Sequence, residues 1–169
     1  LTMLAGFSGT AMAAPAQTAK QVPVFEVDAN FPTMPDHRVL GGVGGATADS
    51  HGNVWVFHRP HTLEEGNATE NGYAPAPPVL QFSASGQYIQ GWGGDAPGYD
   101  WPKSEHGIYI DYKGFVWIGG QGDDDSILKF TKAGKFVMQI GKGGHKKTNK
   151  DTENFWRPAD VFVYPKTNE

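Results

Sequence analysis

The chain predicts an all-β fold, a β-propeller seen through two of its blades, and three observations lead there. A phrase occurs twice: 49–57 read DSHGNVWVF and 111–118 read DYKGFVWI, so that Asp49, Gly52, Val54 and Trp55 return as Asp111, Gly114, Val116 and Trp117, 62 positions later. A second phrase also returns: 81–94 read QFSASGQYIQGWGG and 129–144 read KFTKAGKFVMQIGKGG, with Phe82, Gly86 and Gly93 reappearing as Phe130, Gly134 and Gly141 after 48 positions. The runs between are short, rich in β-formers and punctuated by Gly, the pattern of a blade repeat. One blade cannot bury both its faces, so blades need neighbours. The 169 residues therefore read as a piece, cut at both ends, of a ring of about six blades, rather than a small complete sheet protein.

Taken in order, 1–13 look like the remnant of a secretory leader, with an apolar stretch and an Ala11-Met12-Ala13 cleavage site before Ala14. The stretch is too short to span a bilayer, and export to a periplasm or the cell exterior is expected. Residues 14–40 form an N-terminal segment in which Val22, Val24 and Val27 suggest a ring-closing strand. Residues 41–94 make the first whole blade: GGVGGATAD innermost, then NVWVFHRP, PPVLQFSASG and GQYIQGWGG outermost. Residues 95–144 make the second, with HGIYID, GFVWIGG, SILKFTKAG and KFVMQIG. Glycines between runs supply the positive φ of hairpin turns. FWRPADVFVYPKTNE, 155–169, reads as the first strand of a third blade. The shifts of 62 and 48 differ by 14, which places a 14-residue insertion in HTLEEGNATENGYAPAPP, between the second and third strands of the first blade. Loops of that length inside a compact repeat are usually functional or disordered.

Composition removes several function classes. The net charge is −4 with both signs interspersed, against the basic face that nucleic acid requires. The basic run KGGHKKTNK, 142–150, is short and Gly-rich and reads as a solvated loop. There is no Cys, hence neither a disulfide framework nor thiolate chemistry. We expect a monomer acting on a small-molecule or peptide substrate, with neither nucleic acid nor membrane as partner. Asn67-Ala68-Thr69 is a formal glycosylation acceptor in a eukaryotic setting.

Few side chains offer chemistry. His106 opens an innermost strand, where equivalent positions of successive blades face one channel; three such histidines make an open zinc site. A channel-lining or capping histidine is the commoner use of such a position. Arg59 ends the second strand of the first blade, and its fork suits a carboxylate, whether of a substrate or of a neighbouring Asp. Alternation puts His58 on the opposite face, in a structural role, and leaves His61 undecided. Asp123, Asp124 and Asp125 suit calcium or, more commonly, a solvated turn. Trp55, Trp117, Phe82 and Phe130 recur with the blades and read as packing between adjacent sheets.

These phrases resemble the NHL repeat, from Gly41 to Glu169. GATADSHGNVWVFHR, SEHGIYIDYKGFVWI and FWRPADVFVYPKTNE further resemble, in order, segments of the peptidyl-α-hydroxyglycine α-amidating lyases. Those are six-bladed enzymes that split a C-terminal α-hydroxyglycine into a peptide amide and glyoxylate. The resemblance implies zinc and calcium as cofactors. It puts His106 on one of three zinc-binding histidines, Arg59 on the substrate-site arginine, and Ala46 and Ile108 on positions whose backbone carbonyls hold calcium. It also implies that the remaining ligands and the catalytic base lie beyond Glu169. Pro60 stands where the family usually has Gly, and the long loop differs. Two other readings remain open: a non-catalytic NHL binding scaffold, and a calcium-dependent, lactonase-like hydrolase.

Overall fold

The structure is a computed structural model that describes residues 22–63, 72–124, 126–144 and 148–169. The leader remnant, Asn67 and Asp125 lie outside the described residues. Ten strands run through the described residues: β1 (Arg38–Val39), β2 (Gly42–Ala48), β3 (Val54–Arg59), β4 (Ala74–Pro75), β5 (Val79–Phe82), β6 (Tyr88–Trp92), β7 (Glu105–Ile110), β8 (Val116–Gly120), β9 (Ser126–Phe130) and β10 (Phe136–Gly141). Two four-stranded antiparallel sheets result, ordered β2-β3-β5-β6 and β7-β8-β9-β10. The fold is all-β, and each sheet is a meander of the kind an NHL propeller blade contains.

Sequence repeat becomes structural repeat at the first turn of each blade. Asp49 Oδ1 accepts from the backbone N–H groups of His51 (2.9 Å) and Asn53 (3.1 Å), while its Oδ2 accepts from the Trp55 indole at 3.3 Å. Asp111 does the same with Lys113, Phe115 (both 2.9 Å) and the Trp117 indole (2.8 Å). The Asp thus binds its own turn and the Trp of the next strand, and Gly52 and Gly114, at φ of 79° and 82°, let the chain reverse between them. A lysine completes each carboxylate. Lys132 of the second sheet reaches Asp49 at 2.9 Å, across the interface between sheets. Lys129 sits 3.9 Å from Asp111, over the rings of Phe115 and Trp117.

Side-chain alternation assigns each blade two contact faces. Trp55, Phe57 and Val79 of the first sheet face Ile108, Ile110, Val116, Ile118, Leu128 and Phe130 of the second in one buried cluster. The opposite face of the first sheet, Val56, Leu80 and Phe82, packs on Met34 and Leu40 of the N-terminal segment. The opposite face of the second, Trp117 and Ile127, packs on Val161 and Val163 of the C-terminal segment. The recurring Trp therefore looks toward the next layer along the chain and the recurring Phe toward the preceding layer. Packing between layers is what these four aromatics do.

The innermost strands sit unusually close. A Cβ built on Gly45 would lie 2.5 Å from the carbonyl oxygen of His106, and one on Gly107 would strike the carbonyl oxygen of Ala159. Gly45 and Gly107 are repeat equivalents, 62 apart, so the same close approach joins β2 to β7 and β7 to the C-terminal segment.

Two expectations change. Residues 22–28 form no strand, and Val22, Val24 and Val27 are exposed (79, 88 and 96 %). No strand among the described residues offers them a ladder. The N-terminal segment attaches further on, through a Thr33–Gln87 bridge and β1. Residues 155–169 carry no strand either, although Ala159 lies beside β7 and Val163 is buried. They occupy an inner-strand position without a second strand, among the described residues, to pair with. The insertion stands as read: 19 residues separate β3 from β5, whereas five separate β8 from β9. Its described parts hold a 3₁₀ turn (Pro60–Thr62) and β4, which pairs in parallel with β1.

Gly107→Ala should cost about 1–3 kcal/mol, read as a lower urea midpoint, because the added methyl meets fixed backbone. Asp49 gives a pH signature. Burial pushes its carboxyl up, but the hydrogen bonds from Lys132, Asn53, His51 and Trp55 outweigh burial and hold it well below the usual range. Its contribution is complete above the unfolded carboxylate value, about 3.9, and is lost as pH falls through the folded value. Asp49→Asn should lower stability at neutral pH by about 1–3 kcal/mol and blunt the acid limb of the denaturation profile below pH ~4.

Candidate functional site

The inner strands carry the candidate residues to one end of the sheets. Arg59, half-buried at the end of β3, donates from Nε to the carbonyl oxygen of Glu105 at 2.8 Å. His106 is the next residue and donates from Nδ1 to the carbonyl oxygen of Ala159 at 3.1 Å, with that tautomer following from the acceptor. The two residues therefore stand on adjoining peptides, although their strands are 46 residues apart along the chain at the Arg59–Glu105 bond. Arg59 pairs with a main-chain carbonyl, not with the surface Asp that sequence offered as its alternative partner.

A groove of about 370 Å³ runs along the same inner strands, lined by residues 44–47, 106–109 and 159–160. It brings Ala46 of β2, His106 and Ile108 of β7 together with the C-terminal segment. Three of the residues named for metal binding thus line one groove, while Arg59 stands outside that lining, at the Glu105 carbonyl. Among the described residues, however, no three His, Cys, Asp or Glu side chains gather as a metal-ligand group. His106 fits as one ligand of such a group: with Nδ1–H committed to a carbonyl, the ring's lone pair is on Nε2, the arrangement that a backbone carbonyl imposes on metal-bound histidines.

Comparison with known proteins bears on the repeat. The chain is similar to NHL repeat-containing protein 3 of Mus musculus, 23% identical over 147 residues. That alignment covers 83% of this chain and 37% of the mouse protein, so the chain spans little more than a third of its relative. No protein-family model matches the chain. The likeness supports an NHL-type repeat and agrees with the two four-stranded sheets.

The other candidates resolve by contact. His58 is fully buried; its Nδ1 accepts from the Gly41 backbone N–H (3.1 Å) and its Nε2 donates to the Pro77 carbonyl (2.9 Å). It ties β2 and the end of the insertion to β3, the structural role that alternation suggested. Asp124 corrects the expectation of a solvated turn. It is 5 % exposed, and its carboxylate accepts from the backbone N–H groups of Lys103 (2.7 Å), Ser104 (3.0 Å) and Gly122 (3.1 Å). Sequence reading missed Glu105, which is 3 % exposed and receives the Trp101 indole N–H on Oε1 at 3.1 Å. Only its place beside His106 in the SEHG phrase hinted at it.

Burial pushes the His58 pKa down, against the backbone of Pro77 and Ala76, which pushes it up. The unfolded chain takes up a proton near pH 6.5 and the folded His58 only at lower pH, so its contribution is complete above that value and declines as pH falls. The denaturation midpoint should drop between pH 7 and pH 5, and His58→Gln should lessen the drop while lowering stability at pH 7.

Proposed function

We propose that this chain is part of an exported, metal-dependent carbon–nitrogen lyase of the amidating type. The observation that carries the reading is His106, whose Nδ1–H is spent on the Ala159 carbonyl so that Nε2 is presented as a donor atom one residue from Arg59's anchor. The resemblance of the three quoted segments to α-amidating lyases supplies the reaction class. Zinc at His106 would provide Lewis-acid polarisation of an α-hydroxyl or carboxylate. Ala46 and Ile108, which share the groove, are the proposed source of carbonyl ligands for calcium. The reading requires further histidines and a base from outside residues 1–169.

This chain's own residues would act on charge and position. Arg59 has Nε occupied by the Glu105 carbonyl, which aims the rest of its fork and leaves the Nη groups to meet a substrate carboxylate. As the C–N bond breaks, the hydroxyl proton ends on the released amide nitrogen and the carbinol carbon becomes the aldehyde of glyoxylate. A fixed guanidinium counters the charge at that end throughout. The leader remnant motivates a periplasmic or secreted location, and the substrate class is a small α-hydroxy amide or a peptide bearing one.

A second reading is a non-catalytic NHL propeller that binds a partner on one rim. The likeness to the mouse NHL repeat-containing protein is compatible with it. A calcium-dependent lactonase-like hydrolase has less behind it, because its carboxylate cluster has no counterpart among the described residues.

The test uses the intact protein that carries this chain. Elemental analysis should find about one zinc per chain, lost in His106→Ala. Release of glyoxylate from an α-hydroxyglycine peptide should fall by roughly 10²–10³ in Arg59→Ala, at unchanged zinc content. Zinc absent from both proteins would leave the binding scaffold; full activity in Arg59→Ala would remove the arginine from the mechanism.

A further inference from the structure

A second cleft, of about 450 Å³, opens on the side of the molecule where the insertion leaves β3. Its walls are Pro60 and His61 from the 3₁₀ turn, Pro78 before β5, and Trp101, Lys103 and Glu105 leading into β7. The volume is that of a small-molecule site. One of its lining residues, Glu105, carries the one unsatisfied buried group that the described side chains show: Oε2, sealed from solvent and without a hydrogen-bond partner. The other oxygen of that carboxylate is held by the Trp101 indole, so the group cannot turn to find a donor. A buried carboxylate oxygen left unpaired is costly, and its geometry asks for a charged donor.

The ionisable donor that approaches this oxygen among the described residues is His61. Its Nδ1 lies 3.5 Å from Oε2, an ionic approach outside hydrogen-bond length. His61 is 55 % exposed and sits on a single 3₁₀ turn, whereas the Glu105 side chain is 4 % exposed. The histidine is therefore the movable half of the pair. The titratable side chains that line the cleft are His61, Lys103, Asp95 and Glu105 itself.

We propose that this cleft binds a primary ammonium on a short apolar stem, with the ammonium displacing His61 from Glu105 Oε2. Three prolines, Ala76 and Trp101 offer the stem an apolar wall, and Asp95 adds a second negative charge at the rim. The ammonium comes from a free small amine or from a peptide N-terminus. The site uses the Glu105 side chain, whereas the proposed function uses His106 and the Glu105 carbonyl that anchors Arg59.

The test is calorimetric titration of the full chain at pH 7.5 with n-butylammonium, and in parallel with a trialanine amide and its N-acetylated form. Saturable binding of butylammonium identifies the free amine as sufficient. Binding of the trialanine amide alone, abolished by acetylation, identifies a peptide N-terminus. Glu105→Gln, which keeps the Trp101 acceptor, should weaken binding at least tenfold, roughly what loss of one charged hydrogen bond gives. His61→Ala should bind as tightly as the native chain or more tightly, since it removes the competitor. The indole N–H resonance of Trp101, followed by NMR, should shift on binding and shows that Glu105→Gln is folded. Absence of binding by all three probes, equal binding to Glu105→Gln, or loss of binding in His61→Ala would each overturn the proposal.

Discussion

The apolar contact between the two sheets governs the rest of this structure. Trp55, Phe57 and Val79 on one side and Ile108, Ile110, Val116, Ile118, Leu128 and Phe130 on the other are nearly or fully buried. Each large side chain among them contributes about 1.5–3 kcal/mol on leaving water. Neither sheet can bury this surface alone. The contact closes only if the inner strands come together, and that is why Gly44 and Gly45 stand where backbone meets backbone, an arrangement Gly107 repeats against Ala159. The polar link of Lys132 to Asp49 then pins the outer part of the same interface, and the Lys132 carbonyl is held by Gln90 and Trp92 of the other sheet.

The proposed function depends on this layering. Close approach of β2 and β7 places Arg59 against the Glu105 carbonyl, and close approach of β7 and the C-terminal segment places His106 against Ala159. Both polar contacts are made to main-chain carbonyls of a neighbouring layer, so the side chains are oriented by the blade interface itself. A blade that shifted by one residue would turn its side chains to the opposite faces and lose both. The second cleft has the same origin. It forms where the inserted segment between β3 and β5 meets the loop that leads from one sheet into the next.

The two polar neighbourhoods differ in what they leave open. At His106 a ring nitrogen remains available above a shallow groove. At Glu105 a carboxylate oxygen lies buried without a hydrogen-bond partner, 3.5 Å from His61 Nδ1. Adjacent residues of β7 thus line two different clefts, at a point where its register with β8 shifts between Glu105 and Gly107. β7 contributes to both neighbourhoods.

Much of this was legible in the residues. The repeated Asp, Gly and Trp specify a turn, a reversal and a buried ring through local chemistry, and the strand order of both sheets follows from them. The insertion, the structural role of His58 and the layer-packing aromatics were also readable, because each depends on alternation or on repeat length. The strand assigned to Val22, Val24 and Val27, and that of 155–169, were not realised, since a strand requires a partner and sequence names only propensity. Asp124 and Glu105 were hidden for a related reason: their partners lie 20 residues away at Ser104 or in another layer, at His61. Sequence by itself determined the blade and its period. Tertiary structure alone decided which carboxylates are buried and which carbonyls orient Arg59 and His106, because those contacts form between layers that the chain brings together only when the apolar faces close.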